Sequence, residues 1–151
     1  MNKAKLQEQL ILALKAHDDI KKSTLRMLIS AIGYYEIQKG GAGYVATDED
    51  VLAVIQNEAK KHRDSIEQFK LANRTDLVDK EQAELAILET YLPPQMNEQQ
   101  ISKLVEEAIE KTGASSLSDI GKVMGVLMSE VKGKADGTLV SNIVKEKLSK
   151  P

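Results

Sequence analysis

"YLPPQMNEQQI", Tyr91 to Ile101, divides this chain. Two consecutive prolines cannot continue a helix, because each lacks an amide hydrogen and forces the residue before it toward extended backbone. Asn97 followed three residues later by Gln100 then forms a capping box, each side chain serving the other residue's backbone N–H, so a new helix starts directly after the break. The domain limits are therefore placed at residues 1–92 and 97–151.

Working back from the break, nearly every segment has helical spacing. Leu6, Leu10, Ala13, Leu14 and His17 recur at intervals of three and four, the signature of one buried stripe. Asp18 and Asp19 interrupt it. A second helix spans about Ile20 to Gln38, with Leu25, Leu28, Ile32 and Tyr35 inward, and "KGGAG", Lys39 to Gly43, stops it in what is expected to be a mobile loop. Thr47 with Asp50 opens a third helix through a variant capping box. Leu52, Ile55, Ala59, His62, Ile66 and Phe69 form its stripe. Asn73 suits a left-handed turn at its end. Arg74 is expected to anchor that turn to Asp76 or to the acidic helix that follows, which Thr75 is placed to cap and Leu77, Leu85, Leu88 and Leu92 to bury.

Working forward, Ile101, Leu104, Val105, Ala108 and Ile109 line one helix, which Gly113 closes. Ser116 with Asp119 starts another, and a last one runs from about Thr138 to Ser149 with Val140, Ile143, Val144 and Leu148 inward. No strand–helix–strand alternation appears. The expected fold is all-α, a four-helix N-terminal domain followed by a small three-helix C-terminal domain.

Composition narrows the function. The chain has 151 residues, 42% of them hydrophobic, with one Phe, four Tyr and no Trp, so its core is aliphatic. It has no cysteine, which excludes disulfides and thiol chemistry. No stretch approaches the length of a membrane span and the N-terminus lacks the pattern of a signal peptide, so the cytoplasm is the expected compartment. The net charge of −2 is uneven: residues 76–110 hold 2 basic and 9 acidic residues, residues 111–151 hold 7 and 4. Coating of DNA needs a strongly basic face and is not expected. A local basic patch meeting structured RNA or an acidic partner is compatible with this balance.

"SDIGKVMGVLMSEVKGKADGT", Ser118 to Thr138, is the main functional candidate; it holds four of the nine glycines. Glycine inside a helix costs about 1 kcal/mol against alanine. Gly121 and Gly125 share one stripe and are expected to let another helix pass closely, among Met124, Met128 and other apolar residues. Gly133 and Gly137 sit after that helix, where positive φ is expected, flanked by Lys132 and Lys134, with Lys122 one helix earlier. A loop leading into a helix N-terminus near Thr138 offers N–H groups to phosphate. Asp136 reads as the cap of that last helix.

Other constellations give less. The order G-x-x-x-x-G-K-[ST] and the dinucleotide fingerprint are both absent. Lys60, Lys61, Arg63, Lys70 and Arg74 form a basic span, read as a solvated face paired internally as Lys60–Asp64 and Arg63–Glu67. His17 and His62 read as structural. Glu81 with Glu84, and Glu107 with Glu110, have a spacing seen in di-metal bundles, but the Glu-x-x-His partners are missing. No metal, cofactor or catalytic residue is expected, and Ser23–Lys22 and Ser129–Lys132 are chance neighbours.

Three segments together, "STLRMLISAI" (Ser23 to Ile32), "KKHRDSIEQFKLANRTDLVDKEQAELAILETYLPPQM" (Lys60 to Met96) and "IGKVMGVLMSEVKGKADG" (Ile120 to Gly137), resemble the small stand-alone GatB/YqeY-domain proteins. The resemblance covers almost the whole chain. It implies four helices then three, the latter similar to the tail domain of the tRNA-dependent amidotransferase B subunit. That tail contacts tRNA, while the chemistry lies in other parts. The family's glycine-lysine motif falls here on Gly121, Lys122, Met124, Gly125 and Lys132 to Gly137. The family often has arginine at Lys134 and glycine at Asn73.

The resemblance implies a non-catalytic RNA-binding module, partnered by tRNA or a tRNA-dependent protein complex. Lys122, Lys132 and Lys134 would contact phosphate, and Gly133 and Gly137 would shape the approach. Two alternatives stay open. One is a protein-interaction scaffold whose partner buries Met124, Met128 or the surface around Gly125. The other is an accessory to a glutamine-dependent amidotransferase, a carbon–nitrogen ligase.

Overall fold

The structure, a computed structural model, describes residues 1–150. It is all-helical among these residues, with seven α-helices and no strand. The chain forms two compact units, Met1–Leu92 and a second from Pro93 onward.

The first unit comprises α1 (Lys3–Lys15), α2 (Asp19–Gly40), α3 (Asp48–Leu71) and α4 (Thr75–Glu89). Its core joins Leu6, Leu25, Leu28, Ile32, Val51, Ile55, Ala59 and Leu88. The caps follow local chemistry. Thr47 and Asp50 form the reciprocal box at the start of α3. Asn73 takes φ 54° in the turn after α3, a conformation that asparagine tolerates. Thr75 is not the cap of α4: Arg74 holds the N-cap position and makes no capping hydrogen bond with its side chain. Leu14 leaves the expected stripe and is 41% exposed, because α1 buries only Leu6 and Ala13 fully.

The segment after α2 is fastened rather than a mobile loop. Glu36 accepts hydrogen bonds from Ala46 N at 3.0 Å and Lys3 Nζ at 2.7 Å. Asp50 accepts from Tyr35 at 2.9 Å, Lys39 at 2.5 Å, Tyr44 at 2.6 Å and Thr47 N at 3.0 Å. Both carboxylates are buried. A buried carboxylate persists only when its oxygens are served, and here each ties the loop to the helices on either side of it. The Lys39 ammonium, followed by the Tyr44 hydroxyl, holds the Asp50 carboxyl well below the usual range. The Ala46 amide, then Lys3, does the same for Glu36.

The second unit comprises α5 (Glu98–Thr112), a 3-10 turn (Leu117–Asp119), α6 (Ile120–Val131) and α7 (Gly137–Ser149). Asn97 and Gln100 form the capping box of α5, and Gly113 ends that helix at φ 64°. Ile101, Val105, Val123, Leu127, Val131, Val140 and Val144 make a wholly aliphatic core. Gln95 and Met96, just after the prolines, tie back to the turn beyond α6: Gln95 Nε2 donates to Gly133 O at 3.0 Å, and Met96 N to Lys134 O at 2.7 Å.

Candidate functional site

α6 has two faces. Val123, Leu127 and Val131 are buried against α5 and α7, and Met124 is half-buried with them. Gly121, Gly125, Met128 and Lys132 recur one turn apart on the opposite side, and all four are exposed. The expected close packing at Gly121 and Gly125 is not found: a Cβ at either position would meet nothing within 4 Å. The reason is geometric. α6 has two helical neighbours in its unit, both on its valine-leucine side, so the glycine stripe faces out and bares backbone. Leu117, 50% exposed, and Met128, 43% exposed, add apolar surface to this segment.

The turn after α6 separates the roles of its two glycines. Gly133 is buried with φ 82°, a conformation that favours glycine, and its carbonyl accepts from Gln95. Gly137 has no positive φ; it is the exposed first residue of α7. Asp136 caps α7, Oδ1 accepting from Thr138 N at 2.9 Å. This corrects the idea that the N-terminus of α7 is open to phosphate: the chain's own carboxylate already lies there, and a second anion would be repelled by it. Lys122, Lys132 and Lys134 are exposed, and none is engaged in an ion pair among the described residues. The N–H groups of Ser115 and Ser116 hold the Asp119 carboxyl below its usual range, with a smaller contribution from the Lys122 charge.

The basic span of α3 is largely consumed by local pairing, though Arg63 does not take its expected partner. Lys61 pairs with Glu58 at 2.7 Å and Lys70 with Glu67 at 3.3 Å, while Arg63 reaches Glu89 on α4 at 3.2 Å instead of Glu67. Arg74 clasps Asp76 through two bonds, Nε to Oδ1 at 3.2 Å and Nη2 to Oδ2 at 3.1 Å, which lowers the Asp76 pKa. Asn73 and Arg74 thus serve the turn.

One cluster escaped the sequence. His62 Nδ1 lies 2.5 Å from Glu81 Oε2 and 3.7 Å from Glu84 Oε2. Glu81 and Glu84 lack a Glu-x-x-His partner on their own helix. The histidine comes instead from α3, across the α3–α4 hairpin. The turn at Asn73 sets the register that brings residue 62 opposite residues 81 and 84. The usable signal was the pairing of positions about equidistant from that turn.

Comparison with known proteins gives the chain its relatives. The protein named altered inheritance of mitochondria protein 41, mitochondrial, from Pyrenophora tritici-repentis is 40% identical over 105 residues, 68% of this chain and 58% of its own length. Its namesake from Vanderwaltozyma polyspora is 32% identical over 122 residues, 76% of this chain and 64% of its own. An uncharacterised protein of Schizosaccharomyces pombe is 34% identical over 90 residues, 60% of this chain and 71% of its own. The chain thus matches less than two thirds of the length of the first and second of these. Their names overturn the expectation of a cytoplasmic compartment, which rested only on missing signals: relatives of this chain are called mitochondrial. The family described as YqeY-like protein matches residues 3–148, essentially end to end, and the chain belongs to it.

Proposed function

We propose that this chain is a non-catalytic RNA-binding module, tRNA-associated, whose residues 97–151 act as a domain of their own beside residues 1–92. The carrying observation is the outward face of α6, where Gly121 and Gly125 bare the backbone with nothing within 4 Å of a would-be Cβ. Exposed Lys122, Lys132 and Lys134 lie on α6 and in the turn that follows it. A helix stripped of side chains lets a ribose-phosphate strand approach closely, and ammonium groups beside it neutralise phosphates without reading sequence. Gly133 supports the turn from within, and Gly137 contributes surface only. The resemblance to the amidotransferase tail supports tRNA as the RNA. The names of the relatives support a mitochondrial setting.

The test is fluorescence anisotropy with labelled tRNA across a salt series. Wild type is expected to bind more weakly as salt rises. The variant K122A/K132A/K134A should bind more weakly, with a log–log salt slope shallower by about 2–3. Equal affinity of the folded triple variant at low salt removes these lysines from the reading.

A second reading is favoured by one observation, the exposure of Leu117 and Met128. A partner helix lying across Gly121 and Gly125 would bury Met128, which shares their stripe. A protein complex that survives high salt and nuclease treatment, and is lost in M128E, would select it. A role beside a glutamine-dependent amidotransferase would appear as stimulation of that enzyme by the purified chain.

A further inference from the structure

We infer that His62, Glu81 and Glu84 form a binding site for one divalent transition-metal ion, clasping α3 to α4. The three candidate ligand atoms, one imidazole nitrogen and one oxygen from each carboxylate, all lie within 4.8 Å of one another. Their side chains are 11%, 19% and 7% exposed, so the cluster is sheltered but reachable.

The second observation is Glu84 itself. It is only 5% exposed, and its Oε2 lies 3.7 Å from His62 Nδ1. A single hydrogen on Nδ1 can serve only one acceptor well, and at 2.5 Å Glu81 has it. That leaves Glu84 beyond hydrogen-bond distance of the imidazole, and two sheltered carboxylates converging on one ring nitrogen repel each other unless a cation serves them. A dication placed between the three atoms would serve both carboxylates at once.

The donor set selects the ion. One imidazole and two carboxylates suit Zn²⁺ or Mn²⁺ better than Ca²⁺, which takes six to eight oxygens, or Mg²⁺, which favours oxygen and keeps its waters. Bonds of about 2.0–2.2 Å in a tetrahedral site put neighbouring ligand atoms about 3.3 Å apart. The two measured separations, 2.5 and 3.7 Å, bracket that value, so side-chain rotations of about an ångström suffice. Three protein ligands leave a fourth position toward solvent. The site lies in the first unit, so its fate is separate from that of the α6 face.

The experiment is isothermal titration calorimetry of the full chain with ZnCl2, with MnCl2 and MgCl2 in parallel, together with thermal melting. One Zn²⁺ per chain is expected, with a raised melting temperature and weaker or no response to Mg²⁺. H62A and, to retain shape and hydrogen-bonding capacity, E84Q should each lower Zn²⁺ affinity by more than about 10-fold, the scale lost even when only the support of a ligand is removed. Circular dichroism checks that both variants fold. Absence of stoichiometric Zn²⁺ binding overturns the site and leaves an ion pair between helices. Binding that persists in both variants overturns it equally, by placing the metal elsewhere.

Discussion

Two segments of this molecule have almost the same letters and opposite fates. "KGGAG" spans the end of α2, and "VKGKADG" runs from the last residue of α6 to the first of α7, each with lysine among glycines. In the first, the lysine is used internally: Lys39 is bound to Asp50 and lies within 5.5 Å of the Tyr35 and Tyr44 ring centroids, and just beyond the segment the Ala46 amide is bound to Glu36. In the second, the backbone is used internally, through Gln95 and Met96, while Lys132 and Lys134 are exposed and have no ion-pair partner among the described residues. Glycine-lysine composition therefore does not mark a binding loop. What marks one is the donor that folding leaves without an acceptor.

The largest effect expected from breaking this contrast is at Asp50. Removing its carboxylate in D50A strands Lys39, Tyr44 and Tyr35 together and opens the loop, so the melting temperature of the first unit should fall by more than about 5 °C. Acid should mimic the change. Asp50 and Glu36 both titrate lower when folded than when unfolded. Their contribution is thus complete above the unfolded range near pH 4, and is lost as pH falls through the folded values. Melting of wild type between pH 7 and pH 2.5 should show this decline, and D50N should flatten it.

The glycines sharpen the contrast by sign. A Cβ at Gly40 would lie 2.7 Å from the Tyr44 side chain, in the fastened loop, so G40A should destabilise. G125A meets nothing within 4 Å and should stabilise α6 by about 1 kcal/mol. Parallel urea melts of the two variants would decide it; shifts of the same sign would mean that the α6 glycine has a constraint not visible in the chain alone. The smallest effect is expected at Arg74. Its clasp on Asp76 is exposed, so R74A should move the melting temperature by less than about 2 °C.

Much of the architecture is local chemistry and is therefore readable from the chain. Thr47 with Asp50, Asn97 with Gln100, Gly113 and Asn73 each announce a helix end by the hydrogen bonds or φ that only such residues supply. Asp136 announces the start of α7 in the same way. What was not readable depends on which neighbour each helix face meets. α6 carries apolar residues over so wide an arc that spacing alone does not say which edge is covered, and Gly121 and Gly125 were placed on the wrong side. Arg63 had Glu67 four residues on in its own helix and took Glu89 on another. His62, Glu81 and Glu84 converge only through the register of a hairpin. Glu84 was hidden for the same reason, a charged residue buried by its partner helix.

The outward face of α6 is most directly tested by the affinity of tRNA for G121A/G125A, measured by anisotropy at one fixed low salt beside wild type. Two methyl groups fill the bare backbone while leaving all three lysines in place. The expected result is a more stable protein that binds tRNA more weakly, by about 10-fold or more, equivalent to about 1.4 kcal/mol. A double variant that is more stable and binds tRNA as tightly as wild type would contradict the use of this face.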